Sequence, residues 1–418
     1  MGGIAEADAG ALLYSLVAIP SVNPAFRQPG DDAGCFNEAA LGLFVADWLR
    51  RAGIGVEIDE VEADRPNVIA RLRGTGGGPA MLWEGHLDTV QATGMAAPFA
   101  PRIDNGRLYG RGAVDDKGCL AAFMLALREL ARDPPRGDVT FLAAMDEEYG
   151  FAGIRHHLAR GESYTLGIAG EPTDLRIVRA CKGCVRWHVD LSGRAAHSAK
   201  PHESVDALGL ATRLLARFED EMTRRVTMHP LLGRATLVCT GLQAGEGPNT
   251  VPSRALLRFD YRYLPCEAGI DVWRHFKSLA ESFVAATPGA SVTVHAPFID
   301  SSAMDVPEAA AIVALLGEVC RCHGVDPTPL GVPYGSDATK MVDIGGIPTV
   351  VFGPGSIDQA HSINEFVVIA DVAKAARMLV ATARCAPGNA EARSLAVASR
   401  RTGINLSATS PPWRRRPV

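Results

Sequence analysis

A chain of 418 residues, 47% of them hydrophobic, is long enough to build two domains with separate cores. A formal net charge of -5 leaves no surplus of positive charge to neutralise phosphates, which excludes nucleic acid or an acidic membrane surface as the main expected partner. Nine cysteines, an odd number spread along the chain, argue against a disulfide framework and for a reducing, cytoplasmic setting.

The opening MGGIAEADAGALLYSLVAIP has no basic region ahead of its short, interrupted apolar stretch. It does not read as a signal peptide, and no run further on has the length to span a bilayer. Short apolar runs bounded by Gly, Pro, Asn or Asp then predict buried strands at NVIARLRG (67–74) and PAMLW (79–83). A helical period follows at 117–130, a strand at DVTFLAAM (138–145), a helix at 152–159 and a strand at TLGIAG (165–170). After residue 300 the same alternation returns, with a helix at 309–321, a strand at IPTVVFG (347–353) and a helix at 366–382. Strand alternating with helix predicts an α/β fold, a mixed sheet flanked by helices.

The middle of the chain has a different rhythm. In CVRWHVDL (184–191) Val185, Trp187, Val189 and Leu191 alternate with Arg186, His188 and Asp190, and ALLRFDYRY (255–263) alternates in the same way. A period of two marks strands with one wet face. With a helical run at 205–221 and SVTVH at 291–295, it predicts an α+β domain inserted over 182–296, dividing the larger domain into 1–181 and 297–387. The polar tail 388–418, ending in Arg414, Arg415 and Arg416, reads as disordered. Cys181 with Cys184, and Cys320 with Cys322, lack a second pair at zinc-ribbon spacing and read as structural or incidental.

In open α/β sheets, sites gather at the carboxyl ends of strands. His86 and Asp88 follow one predicted strand, Asp146, Glu147 and Glu148 a second, Glu171 a third and His361 a fourth, while Asp115 and Asp116 precede a helix. Taken singly, each fits a surface salt bridge or a helix cap, and Asp116 is read as part of a charged first turn. Together, carboxylates massed with almost no basic residues repel one another unless a cation sits among them. A mixed His and Asp/Glu set suits zinc, cobalt or manganese better than calcium, and the supply exceeds the needs of one ion.

The segments GHLDTV (85–90), YGRGAVDDKG (109–118), MDEEYG (145–150), GEPT (170–173), RAAHSAKP (194–201), PNTVPSRA (248–255), PYGSDA (333–338) and AHSINE (360–365) occur in the order found in the M20 family of metallopeptidases and amidohydrolases, and the chain resembles that family. The resemblance extends to its acetylornithine deacetylase and succinyl-diaminopimelate desuccinylase members. It implies two divalent metal ions, zinc first and cobalt or manganese as alternatives, with Asp115 bridging them. His86 and Glu171 are implied as terminal ligands of different metals, or as a pair on one metal with Glu148 and His361 on the other. It also implies Asp88 orienting His86, Glu147 as general base, and a homodimer in which His197 of the inserted domain reaches the other subunit's site as oxyanion donor. Asn249 and Arg262 match positions that hold substrate, with a plain salt bridge as the alternative for Arg262, which shares its strand face with Arg258 and Asp260; Asp337 is a candidate partner for a substrate amino group or a cap for a helix starting near Ala338. The expected substrate is a small N-acyl amino acid, with desuccinylation and dipeptide hydrolysis as rivals. A metal-binding scaffold without chemistry is the non-enzyme alternative.

Overall fold

In the computed structural model, which describes residues 3–386, the predicted alternation resolves into two main sheets. The larger has nine strands. Its path runs Gly55–Glu62, Arg65–Leu72, Val139–Ala144, Met81–His86, Leu166–Ala169, Thr349–Val351, Val178–Cys181 and Met304–Asp305, and Leu330–Val332 also pairs with Val178–Cys181. Met81–His86 lies parallel to both of its neighbours, whereas Gly55–Glu62 and Arg65–Leu72 join antiparallel. The central strands are buried along their whole length, which explains why they read as unbroken apolar runs.

Helices Glu6–Val17, Lys117–Arg132 and Ile369–Cys385 pack on one another, and Ala39–Arg51 covers Arg65–Leu72. The helix expected over 366–382 differs at its start. Phe366–Val368, aromatic and β-branched, pairs as a strand with Arg107–Tyr109, so the helix begins only at Ile369.

The smaller, five-stranded sheet forms the inserted α+β domain, in the order Thr236–Ala244, Arg254–Tyr263, Gly183–Ser192 and Ser291–Val294, with Ile299–Ser301 also on Gly183–Ser192. Helices Ala207–Arg224 and Gly269–Ala285 pack on it. Val185, Trp187, Val189 and Leu191 are buried there, as their alternation predicts. Phe218 lies 5.2 Å from Phe259 and 4.9 Å from Phe276, ring centre to ring centre, and truncating any one of these to Ala would cost about 3–5 kcal/mol. At the start of Gly183–Ser192, a Cβ on Gly183 would sit 2.1 Å from the Tyr263 ring, so only glycine fits.

All nine cysteines are free, and Cys181 and Cys184 lie on strands. No helix among the described residues is long and apolar enough to cross a membrane. The tail from 388, with its arginine triplet, lies outside the described residues.

Candidate metal centre and cleft

Four segments converge at the carboxyl end of the large sheet. Met81–His86 delivers His86, the turn after Val139–Ala144 delivers Glu147 and Glu148, Leu166–Ala169 leads to Glu171, and the loop before Lys117–Arg132 supplies Asp115. His86 Nε2 lies 3.0 Å from Asp115 Oδ1, and His361 Nε2 lies 3.2 Å from Asp115 Oδ2 and 3.3 Å from Glu148 Oε1. Asp115 thus turns one oxygen to each imidazole. Donor atoms of His86, Glu147 and Glu171 all lie within 4.8 Å of one another, as do those of His86, Asp115 and Glu148. The structure brings Glu147 into one of these groups, beside the residues expected as ligands.

Backbone strain collects here. Asp146, directly before Glu147, has φ 68° and His361 has φ 59°, left-handed values that non-glycine residues seldom adopt. Asp146 is held by Asn23 Nδ2 at 2.9 Å and by Arg65 Nη2 at 3.1 Å, and Arg65 is held in turn by buried Glu38 at 2.8 Å. The same Asn23 nitrogen donates to Asp88 Oδ2 at 2.8 Å.

Asp88 meets the second ring nitrogen of His86 through its backbone carbonyl. His86 Nδ1 is 2.9 Å from the Asp88 backbone carbonyl but 3.6 Å from its carboxylate. The carboxylate instead accepts the backbone N–H groups of Glu147 at 3.0 Å and Glu148 at 3.1 Å, so it shapes the acidic turn. Asp116, expected on the surface, is fully buried and accepts the His86 N–H at 3.1 Å. Glu365 accepts the N–H groups of Val114 and Asp115 at 3.0 and 3.2 Å and pairs with buried Arg111. The sequence reading missed Asn23, Glu38, Arg65, Arg111 and Glu365. Arg111 and Glu365 lay inside quoted motifs, YGRGAVDDKG and AHSINE, without being singled out.

Burial pushes the Glu148 carboxyl up to about 7, with the Asp115 charge adding to it. Glu171 is raised well above the carboxylate range by burial and by the charges of Asp115 and Glu147. Glu147 is raised by burial too, against the opposing pull of His86. Hydrogen bonds to Asp115 and Glu148 push the His361 imidazole up to about 10. Among the described residues, none of Asp115, Glu147, Glu148 and Glu171 is ion-paired to a lysine or arginine. Oxygen and imidazole donors crowded without a compensating cation are what divalent ions fit, and two overlapping donor groups, with Asp115 turning one oxygen to each imidazole, are consistent with a two-ion site.

Glu147 and Glu148 also line a cavity of about 160 Å³ whose far wall belongs to the inserted domain and includes Arg186 and Arg262. The other expected residues lie elsewhere. His197 is exposed on the inserted domain beside Asn249, whose carbonyl accepts the Ser198 N–H at 2.8 Å. Asp337 is fully buried behind the centre, near Lys340 and Glu84, and does not line the cavity; the cap of its helix is Ser336, whose Oγ accepts the Ala338 N–H at 3.3 Å.

The helix-flanked mixed sheet, the inserted α+β domain and the acidic centre define a metal-dependent hydrolase. Residues 82–384 match peptidase family M20/M25/M40, and the chain belongs to that family. Its fold is similar to that of a tripeptidase from Staphylococcus aureus (TM-score 0.76, 21% identity, covering 92% of this chain and 99% of that one). Aminopeptidase PepT from Bacillus cereus is similar to the same extent (TM-score 0.75, 21% identity, 92% and 99% covered). In sequence, the chain is 30% identical over 373 residues to acetylornithine deacetylase of Proteus mirabilis, spanning 86% of this chain and 92% of that one.

Proposed function

We propose that this chain hydrolyses the amide bond of small N-acyl amino acids, with Glu147 as general base. The observation that carries the reading is that one cavity is lined by Glu147 and Glu148 from the acidic centre and by Arg262 from the inserted domain. A proton acceptor and a carboxylate-binding guanidinium therefore face the same space. The 30% identity to a protein named acetylornithine deacetylase supports a deacylase over a peptidase.

His86, Asp115, Glu148, Glu171 and His361 would hold two divalent ions, zinc first, with cobalt or manganese suiting the same donors. The chemistry supplied there, once such ions are bound, is Lewis acidity toward water and toward the scissile carbonyl. Glu147 takes the proton of the attacking water and returns it to the departing amine. Arg262 Nη1, which has no protein acceptor among the described residues, would meet the substrate's α-carboxylate.

Negative charge developing on the carbonyl oxygen needs a donor. His197 Nδ1 accepts the Ala199 N–H at 3.1 Å, which leaves the ring proton on Nε2 of an exposed side chain. In the homodimer proposed here, His197 of the partner subunit supplies that donor, with Asn249 beside it on the same loop pair. Strand Thr236–Ala244 sits at the edge of the small sheet with Val238 and Leu242 exposed, and supports a second copy docking through this domain.

The test is hydrolysis of N-acetyl, N-formyl and N-succinyl amino acids and dipeptides, each with its carboxyl-amidated counterpart, before and after chelation. Loss on chelation with recovery on adding metal is expected, with acetylated free acids turned over best. Activity that outlasts verified metal removal overturns the reading, and equal turnover of acid and amide removes Arg262 from it.

A further inference from the structure

We infer that the preferred acyl amino acid carries a second carboxylate, recognised by Arg186. The inference rests on the reading of the site as an N-acyl amino acid hydrolase and concerns which members of that class it takes.

Arg186, on Gly183–Ser192, stands directly opposite Asp260, on Arg254–Tyr263. Asp260 is the only acid hydrogen-bonded to either cleft arginine among the described residues. Its Oδ1 accepts Arg262 Nε at 2.8 Å, and its Oδ2 accepts Arg186 Nε at 2.7 Å and Arg262 Nη2 at 3.3 Å. Burial opposes its ionisation, but these hydrogen bonds hold its carboxyl below the usual range, so it is a full anion at neutral pH. One carboxylate facing two guanidiniums leaves a surplus positive charge on this wall of the cavity.

The surplus is not taken up elsewhere. Both terminal nitrogens of Arg186 lack an acceptor among the described residues, although about a third of its side chain is exposed, at 36%. Lys182 adds a third cation nearby. Burial, and then the Arg262 charge, push its ammonium down, and it donates to the Arg234 carbonyl instead of to an acid. The acids that line the cavity, Glu147 and Glu148, stand on the opposite wall within the metal-binding groups.

With Arg262 already satisfying Asp260 through two bonds, Arg186 is not needed to neutralise it. What Arg186 adds is a two-pronged donor facing the space beside the base. A planar fork of this kind matches a carboxylate in two parallel hydrogen bonds. Arg262 meets the α-carboxylate and Arg186 meets another, whereas a cationic side chain in the same place would meet repulsion. The second carboxylate can sit on the amino acid side chain or on the acyl group, and the shared chemistry is a dianion.

The experiment measures calorimetric dissociation constants with zinc-loaded Glu147→Gln protein, which can bind without turnover. N-acetyl-L-glutamate against N-acetyl-L-glutamine tests a side-chain carboxylate, N-succinyl-L-leucine against its succinyl monoamide tests an acyl carboxylate, and N-acetyl-L-ornithine tests a cation. At least one dianion should bind about 10–100-fold more tightly than its neutral counterpart, the size of a charge-assisted hydrogen bond pair, and N-acetyl-L-ornithine should bind more weakly than that dianion. Adding Arg186→Gln should bring that ratio close to one, while Arg186→Lys, which keeps a charge without the fork, should retain part of it. Ratios near one for both pairs in the protein with Arg186 intact, a measurement that needs no Arg186 variant to fold, overturn the inference. So does a ratio that survives Arg186→Gln. Wild-type turnover measured alongside separates the two readings: hydrolysis without dianion preference sinks only this inference, and dianion selectivity without hydrolysis sinks only the assigned reaction.

Discussion

Glu365 Oε1 accepts the backbone N–H of Asp115 at 3.2 Å, across 250 residues of sequence. That bond fixes the loop carrying the carboxylate that faces both imidazoles, and the other Glu365 oxygen pairs with buried Arg111. Glu365→Gln should therefore do two things. Leaving Arg111 buried without its counter-charge should lower unfolding free energy by about 3–5 kcal/mol, seen in urea titrations. Loosening the Asp115 loop should weaken metal binding about 10–100-fold in competition with a chelator. Unchanged metal affinity in the variant would remove Glu365 from the support of the centre.

Glu147→Gln and Glu148→Gln should separate chemistry from metal binding. The first should keep metal content near normal and lower kcat by about 10²–10⁴-fold, because it removes a proton acceptor. The second should lose metal on dialysis. A fully active Glu147→Gln protein would show that the base has been misassigned and turn attention to Asp116.

Asn23 is a positioning residue whose single amide nitrogen ties Asp88 to Asp146 on either side of the acidic turn. Asn23→Ala should reduce kcat about 10–100-fold with KM little changed, since the turn and not the substrate pocket is disturbed. A fall confined to KM, or to thermal stability alone, would contradict this placement.

His157 supplies a pH dependence of folding away from the site. It is fully buried, its Nε2 lies 3.1 Å from the Tyr164 hydroxyl, and its Nδ1 has no partner. Burial pushes its pKa down to about 4, below the unfolded value of about 6.5. The folded state binds fewer protons, so its contribution is fully present above pH 6.5 and is lost as pH falls toward 4, by up to about 3 kcal/mol. The gap between wild-type and His157→Gln denaturant midpoints should be largest and constant above pH 6.5 and shrink as pH falls toward 4. Parallel curves across that range would refute the assignment.

The dimer can be tested by complementation. Chains carrying His197→Ala mixed with chains carrying Glu147→Gln should form some dimers with one intact site, regaining activity that neither parent has. Mixed dimers without recovery would place His197 within its own chain's chemistry or outside it.

The strands and the acids at their ends were legible because both signals are local. A buried parallel strand is a run of apolar residues, and His86, Glu147, Glu148 and Glu171 stand just beyond such runs. The supporting residues were not legible, because Asn23, Glu38 and Arg65 belong to separate segments that only the fold brings to Asp146. Asp116 misled for a related reason. Charge at a helix start usually faces water, but here the end of Met81–His86 presses against it and offers an N–H in place of solvent. Strand Gly55–Glu62 went unread because its acids, Glu57 and Asp59 among them, hide the period while pairing with Arg71 and Arg160.

The small sheet leaves the large one and returns to it at neighbouring points. Cys181 pairs with Met304 at the edge of the large sheet, and Cys184 pairs with Ser301 at the start of the small one, so the outgoing and incoming strands form a single ribbon between the domains. A gene segment entering there could be added or removed without rethreading the parent sheet, since the two cut ends lie one strand spacing apart and a short turn would join them. A chain with residues 182–303 replaced by such a turn would be a minimal form of the large domain, keeping His86, Asp115, Glu147, Glu148, Glu171 and His361 while lacking Arg186 and Arg262 of the opposite wall.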